Sequence, residues 1–355
     1  MSLRNNGKQK EGITIETKRL NGNCAEDIVI AAELLKNGGL VAIPTETVYG
    51  LAADATNGAA VERIFKAKGR PQDNPLIVHI SSYEQLERLV SHIPEHAKRL
   101  METFWPGPLT VILPKSNLIP DQVSAGLPTV AVRLPSHPVA RAVIQEAGVP
   151  LAAPSANVSG SPSPTAAAHV LHDLDGKIDA VIDGGPCTIG LESTVITLAE
   201  ETPVLLRPGA VTLEQLQQVL GTVKMADAVL HQLKQGSVAA SPGMKYKHYA
   251  PKAEMAVFEG KTCRDAILKQ VTACKDKKVC VLTAGQTDLY DCDVIDCGKE
   301  PVEYAKALFG ALREADALGA DVIFAELPFA PGGIVTALKN RIYKSCGGNV
   351  ITCKS

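Results

Sequence analysis

Between residues 109 and 198 five short apolar runs, LTVIL, TVAVRL, PLAAP, DAVID and STVITL, follow in quick succession, with one clear amphipathic helix, Pro138–Ala147, among them. Parallel neighbours need a crossover of a dozen or more residues, whereas antiparallel ones need only a tight turn. Runs this close together therefore predict a large, partly antiparallel sheet flanked by helices, not a strict βαβ repeat. The rest of the N-terminal part fits the same plan. Ala25–Lys36 places Ile28, Ala31, Ala32 and Leu35 at helical spacing, and Asn37-Gly38-Gly39 supplies left-handed residues to stop it. A buried strand follows at 40–43, a helix at 59–68, the strand-like PLIVHI at 75–80 and a helical stretch at 83–104. Thr212 is a good N-cap for a last helix ending at Leu220.

The pattern then changes. Residues 221–252 mix Gly, Lys, His and Tyr with the run SPGMKYKHYAPK, have no core-forming period and read as a linker. Beyond it, MAVF, KKVCVLT and ADVIFAEL are strand candidates and 304–318 is an amphipathic helix, giving a compact α/β unit. The expected organisation is a flexible tail at 1–12, a first domain at 13–220, the linker at 221–252 and a second domain at 253–355. The 36 basic and 38 acidic side chains leave a net charge of −2 and no long-range field for a polyanion, so no stable nucleic-acid binding is expected. No stretch has the ~20 apolar residues of a bilayer crossing, and the polar N-terminus lacks a signal-peptide core. A cytoplasmic protein with reduced thiols is expected; seven of the nine cysteines fall in the second α/β unit, at spacings that match no metal template.

Chemistry-bearing residues cluster at the ends of the apolar runs. Lys66-Ala-Lys68-Gly69-Arg70-Pro71 closes a helix, where cations suit the macrodipole; equally, Arg70 and Lys68 offer two-point and point-charge contact to a phosphate chain. The loop APSANVSGSPSP at 153–164 offers small hydroxyls, an amide and rigid prolines, as a plain connector or as an anion wrap. Arg133 and Arg207 interrupt apolar strands and must be paired or face a cleft. PTETVYG at 44–50 and Leu191-Glu192-Ser193-Thr194 add hydroxyls where α/β proteins bind ligands. Neither GxxxxGK[ST] nor GxGxxG is present, and no Ser-His-Asp or Cys-His arrangement stands out. What remains is chemistry by positioning and charge neutralisation, as in nucleotidyl transfer.

In order and spacing, PTETVYGL, KAKGRP with NPLIVH, PGPLT, VRLP, PSAN, ESTV and LLRPG resemble the YrdC-like domain over residues 15–220. With SPGMKYKHYAP and the α/β unit after it, nearly the whole chain resembles the two-domain L-threonylcarbamoyladenylate synthases. The resemblance implies a large twisted mixed sheet flanked by helices, plus a smaller Rossmann-like α/β domain. It implies a nucleotidyltransferase that condenses L-threonine, bicarbonate and ATP, with Mg2+ bound transiently alongside ATP, into threonylcarbamoyl-AMP and pyrophosphate. The product would pass to a tRNA threonylcarbamoyl transferase complex that makes N6-threonylcarbamoyladenosine (t6A37). Carried over onto this sequence, Lys68, Arg70, Asn74, Thr129, Ser155, Asn157, Ser163 and Arg207 would contact ATP, with Lys68, Arg70, Ser155 and Asn157 the catalytic group. Thr47, His79, Arg133 and Ser193 would hold threonine, no protein metal site is implied, and Lys245, Tyr246, His248 and Tyr249 of the linker would fold over as a lid. The carbamoyltransferases of hydrogenase maturation share the domain but carry paired Cys-x-x-Cys zinc fingers, which this chain lacks. An RNA-binding module built on KAKGRP and SPGMKYKHYAPK is the non-enzymatic alternative, opposed by the balanced charge.

Overall fold

The computed structural model describes residues 16–230 and 248–353. The tail at 1–12 and the lid residues Lys245 and Tyr246 lie outside them. Among the described residues the N-terminal part forms an 11-stranded mixed sheet. Its centre runs Val41–Ile43, Gly50–Asp54, Leu151–Ala152, Ile77–His79, Thr129–Arg133, Leu109–Pro114, Thr194–Thr197 and Val204–Arg207. Ile77–His79 pairs parallel with Thr129–Arg133 and antiparallel with Leu151–Ala152, and Leu109–Pro114 pairs antiparallel with Thr129–Arg133 but parallel with Thr194–Thr197. The close succession of runs does produce mixed pairing.

Local signals place the helices well. Ala25–Lys36 and Pro138–Ala147 form as their periodicity predicts, and Leu213–Leu220 opens on a reciprocal capping box between Thr212 and Gln215. The stretch 83–104 is instead two helices, Tyr83–Leu89 and Glu95–Phe104, with Ser82 capping the first and Pro94 standing before the second. The large sheet also runs past residue 220: Lys224–Met225, in the segment read as linker, pairs with Val204 and Leu205.

The C-terminal part is a five-stranded, all-parallel sheet in the order Asp293–Asp296, Val279–Thr283, Val322–Leu327, Glu254–Glu259, Val350–Thr352. Helices such as Pro301–Ala317 and Ile334–Ser345 supply the crossovers that parallel pairing demands. This unit is seated on the first. Val48, Leu191 and Tyr249 belong to the same apolar cluster as Tyr304, Leu308 and Phe309. Gly190 at φ +80° lies so near helix Pro301–Ala317 that a Cβ would meet the Lys306 carbonyl at 2.3 Å, so only glycine fits there. Arg313 grips Asp173 with two hydrogen bonds of 3.0 and 2.8 Å. All nine cysteines are free, and among the described residues no helix is long and apolar enough to cross a membrane.

Candidate active site

A cleft opens on one face of the large sheet. Ile77 and His79, two apart on one strand, present their side chains to it, beside Arg133 at the paired end of the next strand. The Thr45–Gly50 turn, the loop from Ala153 to Ser161, and Glu192, Ser193 and Arg207 complete the wall, and His248 and Tyr249 also line the cleft. With these side chains in place the cavity volume is about 70 Å³.

The residues expected to hold threonine, Thr47, His79, Arg133 and Ser193, all line the cleft. Thr45 Oγ1 accepts from the amides of Thr47 and Val48, a hydroxyl turn that directs Thr47 inward. Arg133 Nη1 donates to Thr47 Oγ1 at 2.8 Å and Nε to the Gly107 carbonyl at 3.2 Å. Its Nη2 stands 2.6 Å from Glu46 Oε1, and both groups are buried. That contact is an ion pair, and the Glu46 and Ser136 backbone also favours the ionised carboxylate. Burial pushes the Glu46 carboxyl up, and Arg133 more than offsets this, holding it below the usual range. The same burial, reinforced by Arg133, pulls His79 down to about 3, so its imidazole is neutral at physiological pH. His79 Nδ1 has no partner among the described residues.

The ATP half is more layered. Gly69, in the left-handed conformation, caps helix Gly58–Lys68 and turns the chain so that Arg70 reaches the cleft, with its guanidinium over the Phe65 ring. Lys68 does not line the cleft: its buried ammonium donates to the Ser155 carbonyl and, at 2.6 Å, to the Asn157 carbonyl. Burial, with Arg70 nearby, lowers its pKa well below the usual lysine value. Of the two cations expected to clamp phosphate, Arg70 lines the cleft, whereas Lys68 shapes the loop that bears Ser155 and Asn157. Asn157 Nδ2 donates to the Val158 and Ser161 carbonyls at 2.8 and 2.9 Å, and its buried Oδ1 is without a partner among the described residues.

Arg207 lines the cleft and holds Ser193 through its carbonyl at 2.9 Å and its hydroxyl at 3.1 Å. Burial brings Arg207 down to about 10 against the opposing pull of Glu192. Ser163 is fully buried behind the wall and donates to Glu192 Oε1 at 2.6 Å. Asn74 is likewise buried outside the lining, with neither end of its carboxamide partnered among the described residues. Thr129 stands on the cleft face of its strand, four residues or about 13 Å from Arg133, beyond the residues that line the cavity. A ligand touching both would have to lie along the sheet.

Two acidic residues were not assigned from the sequence, Glu46 and Glu192, although both sit inside segments it singled out. Glu192 is buried between Arg207 and Arg341. Burial raises its carboxyl, and the two guanidiniums overcome this and hold it at about 2. Among the described residues no group of three or more His, Cys, Asp or Glu side chains is arranged to hold a metal. Glu46 and Glu192 are each committed to an arginine.

The family described as Telomere recombination, the Sua5/YciO/YrdC domain, matches residues 33–209, and the Threonylcarbamoyl-AMP synthase C-terminal domain matches 211–347. Threonylcarbamoyl-AMP synthase of Pyrococcus abyssi is 50% identical over 331 residues, 91% of this chain and 95% of that protein. The Bacillus subtilis protein of the same name is 48% identical over 349 residues, 97% and 99% of the two chains. The crystal structure of P. abyssi Sua5 complexed with L-threonine superposes with a TM-score of 0.90 at 48% identity, covering 96% of this chain and 99% of that one. By domain content, by identity along its length and by fold, this chain belongs to the two-domain threonylcarbamoyl-AMP synthase family.

Proposed function

We propose that the chain is a nucleotidyltransferase that condenses L-threonine, bicarbonate and ATP into threonylcarbamoyl-AMP and pyrophosphate, for t6A37 formation in tRNA. The carrying observation is the convergence of a hydroxyl- and Arg133-lined pocket with the Arg70, Arg207 and Asn157 wall in one cleft. Arg133 suits the amino acid's carboxylate, and neutral His79, with its unpartnered Nδ1, can accept a hydrogen bond from threonine without repelling its amine. Threonine's amine adds to bicarbonate with loss of water to give a carbamate. A carbamate oxygen then attacks the α-phosphorus as the bond to the β-phosphate breaks and pyrophosphate leaves. Arg70 and Arg207 spread the growing negative charge, and the buried amide of Asn74 and the hydroxyl of Thr129 extend the ATP track along the sheet face. Among the described residues no carboxylate cage fits a metal; Mg2+ would arrive with the nucleotide, and no step is assigned to it.

The reading is tested by pyrophosphate release from ATP, which should require threonine and bicarbonate together; release without threonine, or none with all three substrates, rejects it. The product is a labile mixed anhydride, which suits prompt transfer to the adenosine of tRNA by a threonylcarbamoyl transferase complex in the cytoplasm.

The lid follows from the same lability. His248 and Tyr249 line the cleft, and Tyr249 holds φ +64°, a left-handed conformation uncommon for a bulky residue. Its ring centroid lies 5.0 Å from that of Phe309 of the second unit. Closure by these residues would exclude water from the anhydride. Tyr249→Ala should therefore leave pyrophosphate release measurable while the yield of intact threonylcarbamoyl-AMP per pyrophosphate falls several-fold. An unchanged ratio by chromatographic quantitation removes the lid role.

A further inference from the structure

Glu192 joins the cleft to the second unit. Its Oε1 accepts from Ser163 Oγ at 2.6 Å, and its Oε2 accepts from Arg341 Nε at 2.8 Å. Arg341 is fully buried on helix Ile334–Ser345 of the second unit. Its Nη1 donates to Asn340 Oδ1 at 2.9 Å, and Asn340 Nδ2 in turn donates to the Val229 carbonyl at 3.0 Å, where the first unit gives way to the connecting segment. The Tyr249 hydroxyl hydrogen-bonds the same ion pair. On the cleft side, Arg207 lies within the field of both Glu192 and Arg341.

This placement has a chemical consequence. Glu192 lines a cleft that has to accept a polyanionic triphosphate, and an uncompensated carboxylate there would repel it. Arg341 compensates Glu192 from behind the wall, and its Nε bond to Oε2 also fixes the carboxylate that orients Ser163. Lys344, three residues further along the same helix, adds another cation to this neighbourhood; burial, with Arg341 and Arg207, pulls its ammonium down to about 7.

We infer that Arg341 is a positioning residue for the ATP half of the cleft: by neutralising and orienting Glu192 it keeps an unbalanced carboxylate from repelling the phosphates, and so makes the second unit part of the active site. This rests on the synthase reading above. The test compares full-length wild type, Arg341→Met, Arg341→Lys and the double variant Glu192→Gln/Arg341→Met in pyrophosphate release, varying ATP and threonine separately, with thermal unfolding in parallel. Arg341→Met should raise KM for ATP by about tenfold or more, while KM for threonine stays within about threefold, because Glu192 bears on Ser163 and Arg207 of the proposed ATP wall whereas Arg133 has Glu46 as its own counter-charge. The double variant should regain most of the loss, since the carboxylate that needed neutralising is gone.

A purely structural Arg341 would lower activity with no ATP-selective change in KM and no recovery in the double variant. That outcome, or wild-type kinetics in a folded Arg341→Met, overturns the inference. If Arg341→Met does not unfold cooperatively, the double variant and Arg341→Lys decide. Near-wild-type KM for ATP in both supports the charge role, and a raised KM for ATP in a stably folded double variant refutes it. A wild type that releases no pyrophosphate with all three substrates defeats the synthase reading itself; binding of a non-hydrolysable ATP analogue to the same proteins, expected to be weakened selectively in Arg341→Met and restored in the double variant, then judges Arg341 alone.

Discussion

Arg133→Met is expected to lower kcat/KM for threonine by about 100-fold or more and to destabilise the protein by about 3–5 kcal/mol. Both effects come from one guanidinium. Arg133 is 3% exposed, and its three nitrogens face Gly107, Thr47 and Glu46. Methionine fills much of the volume but leaves Glu46 as a buried carboxylate without its cation. Burial, the largest influence on Glu46, would then be opposed only by the Glu46 and Ser136 backbone, and its pKa would rise. The partner change separates the two effects. Arg133→Met with Glu46→Gln should recover most of the stability in urea or thermal unfolding, because no buried charge is left. It should not recover activity, because nothing then meets the threonine carboxylate. A single variant with wild-type KM for threonine would show that Arg133 is only half of an internal ion pair.

That pair shows how much of the site could be read in the chain and where reading stops. A charge inside TVAVRLP had to be paired or face a cleft, and Arg133 does both at once. The sequence pattern does not identify Glu46 as its partner, because 86 positions separate the Thr47 it touches from Arg133, and only strand order brings them together. Helices defined by period and cap, such as Ala25–Lys36 and Leu213–Leu220, were legible because their determinants are local. The sheet order was not, since short apolar runs carry no label for their neighbour. The same limit separates Lys68 and Ser163 from the direct contacts the resemblance implies for them. Each is in the right place in the chain, but one turns back to loop carbonyls and the other to Glu192. Arg341 gave no local signal, for it stands inside an ordinary amphipathic helix and its meaning lies in a residue 149 positions away.

The loop anchored by Lys68 is where the other large loss is expected: Asn157→Ala and Arg70→Ala should each reduce pyrophosphate release at least about 100-fold, with the protein still folded. Asn157 does two jobs. Its amide nitrogen ties Val158 and Ser161 into the curve that lines the cleft, and its buried Oδ1 offers a lone acceptor. A buried acceptor left unmatched costs about 1–3 kcal/mol, a burden relieved when a ligand donor, such as a ribose hydroxyl or the adenine amine, meets it. Alanine removes the acceptor and frees the loop together. Aspartate keeps size and shape but loses both donations and places a negative charge beside the phosphates, so Asn157→Asp should be at least as impaired. Arg70 acts differently: Gly69 aims it into the cleft from a helix end, so its removal takes away charge and leaves the loop intact. Calorimetric titration with an ATP analogue should therefore show Arg70→Ala losing chiefly binding enthalpy, and Asn157→Ala losing affinity together with loop order visible in amide exchange at 155–161. Retention of activity within about threefold of wild type by either alanine variant would move the nucleotide off this wall and require another seat for it.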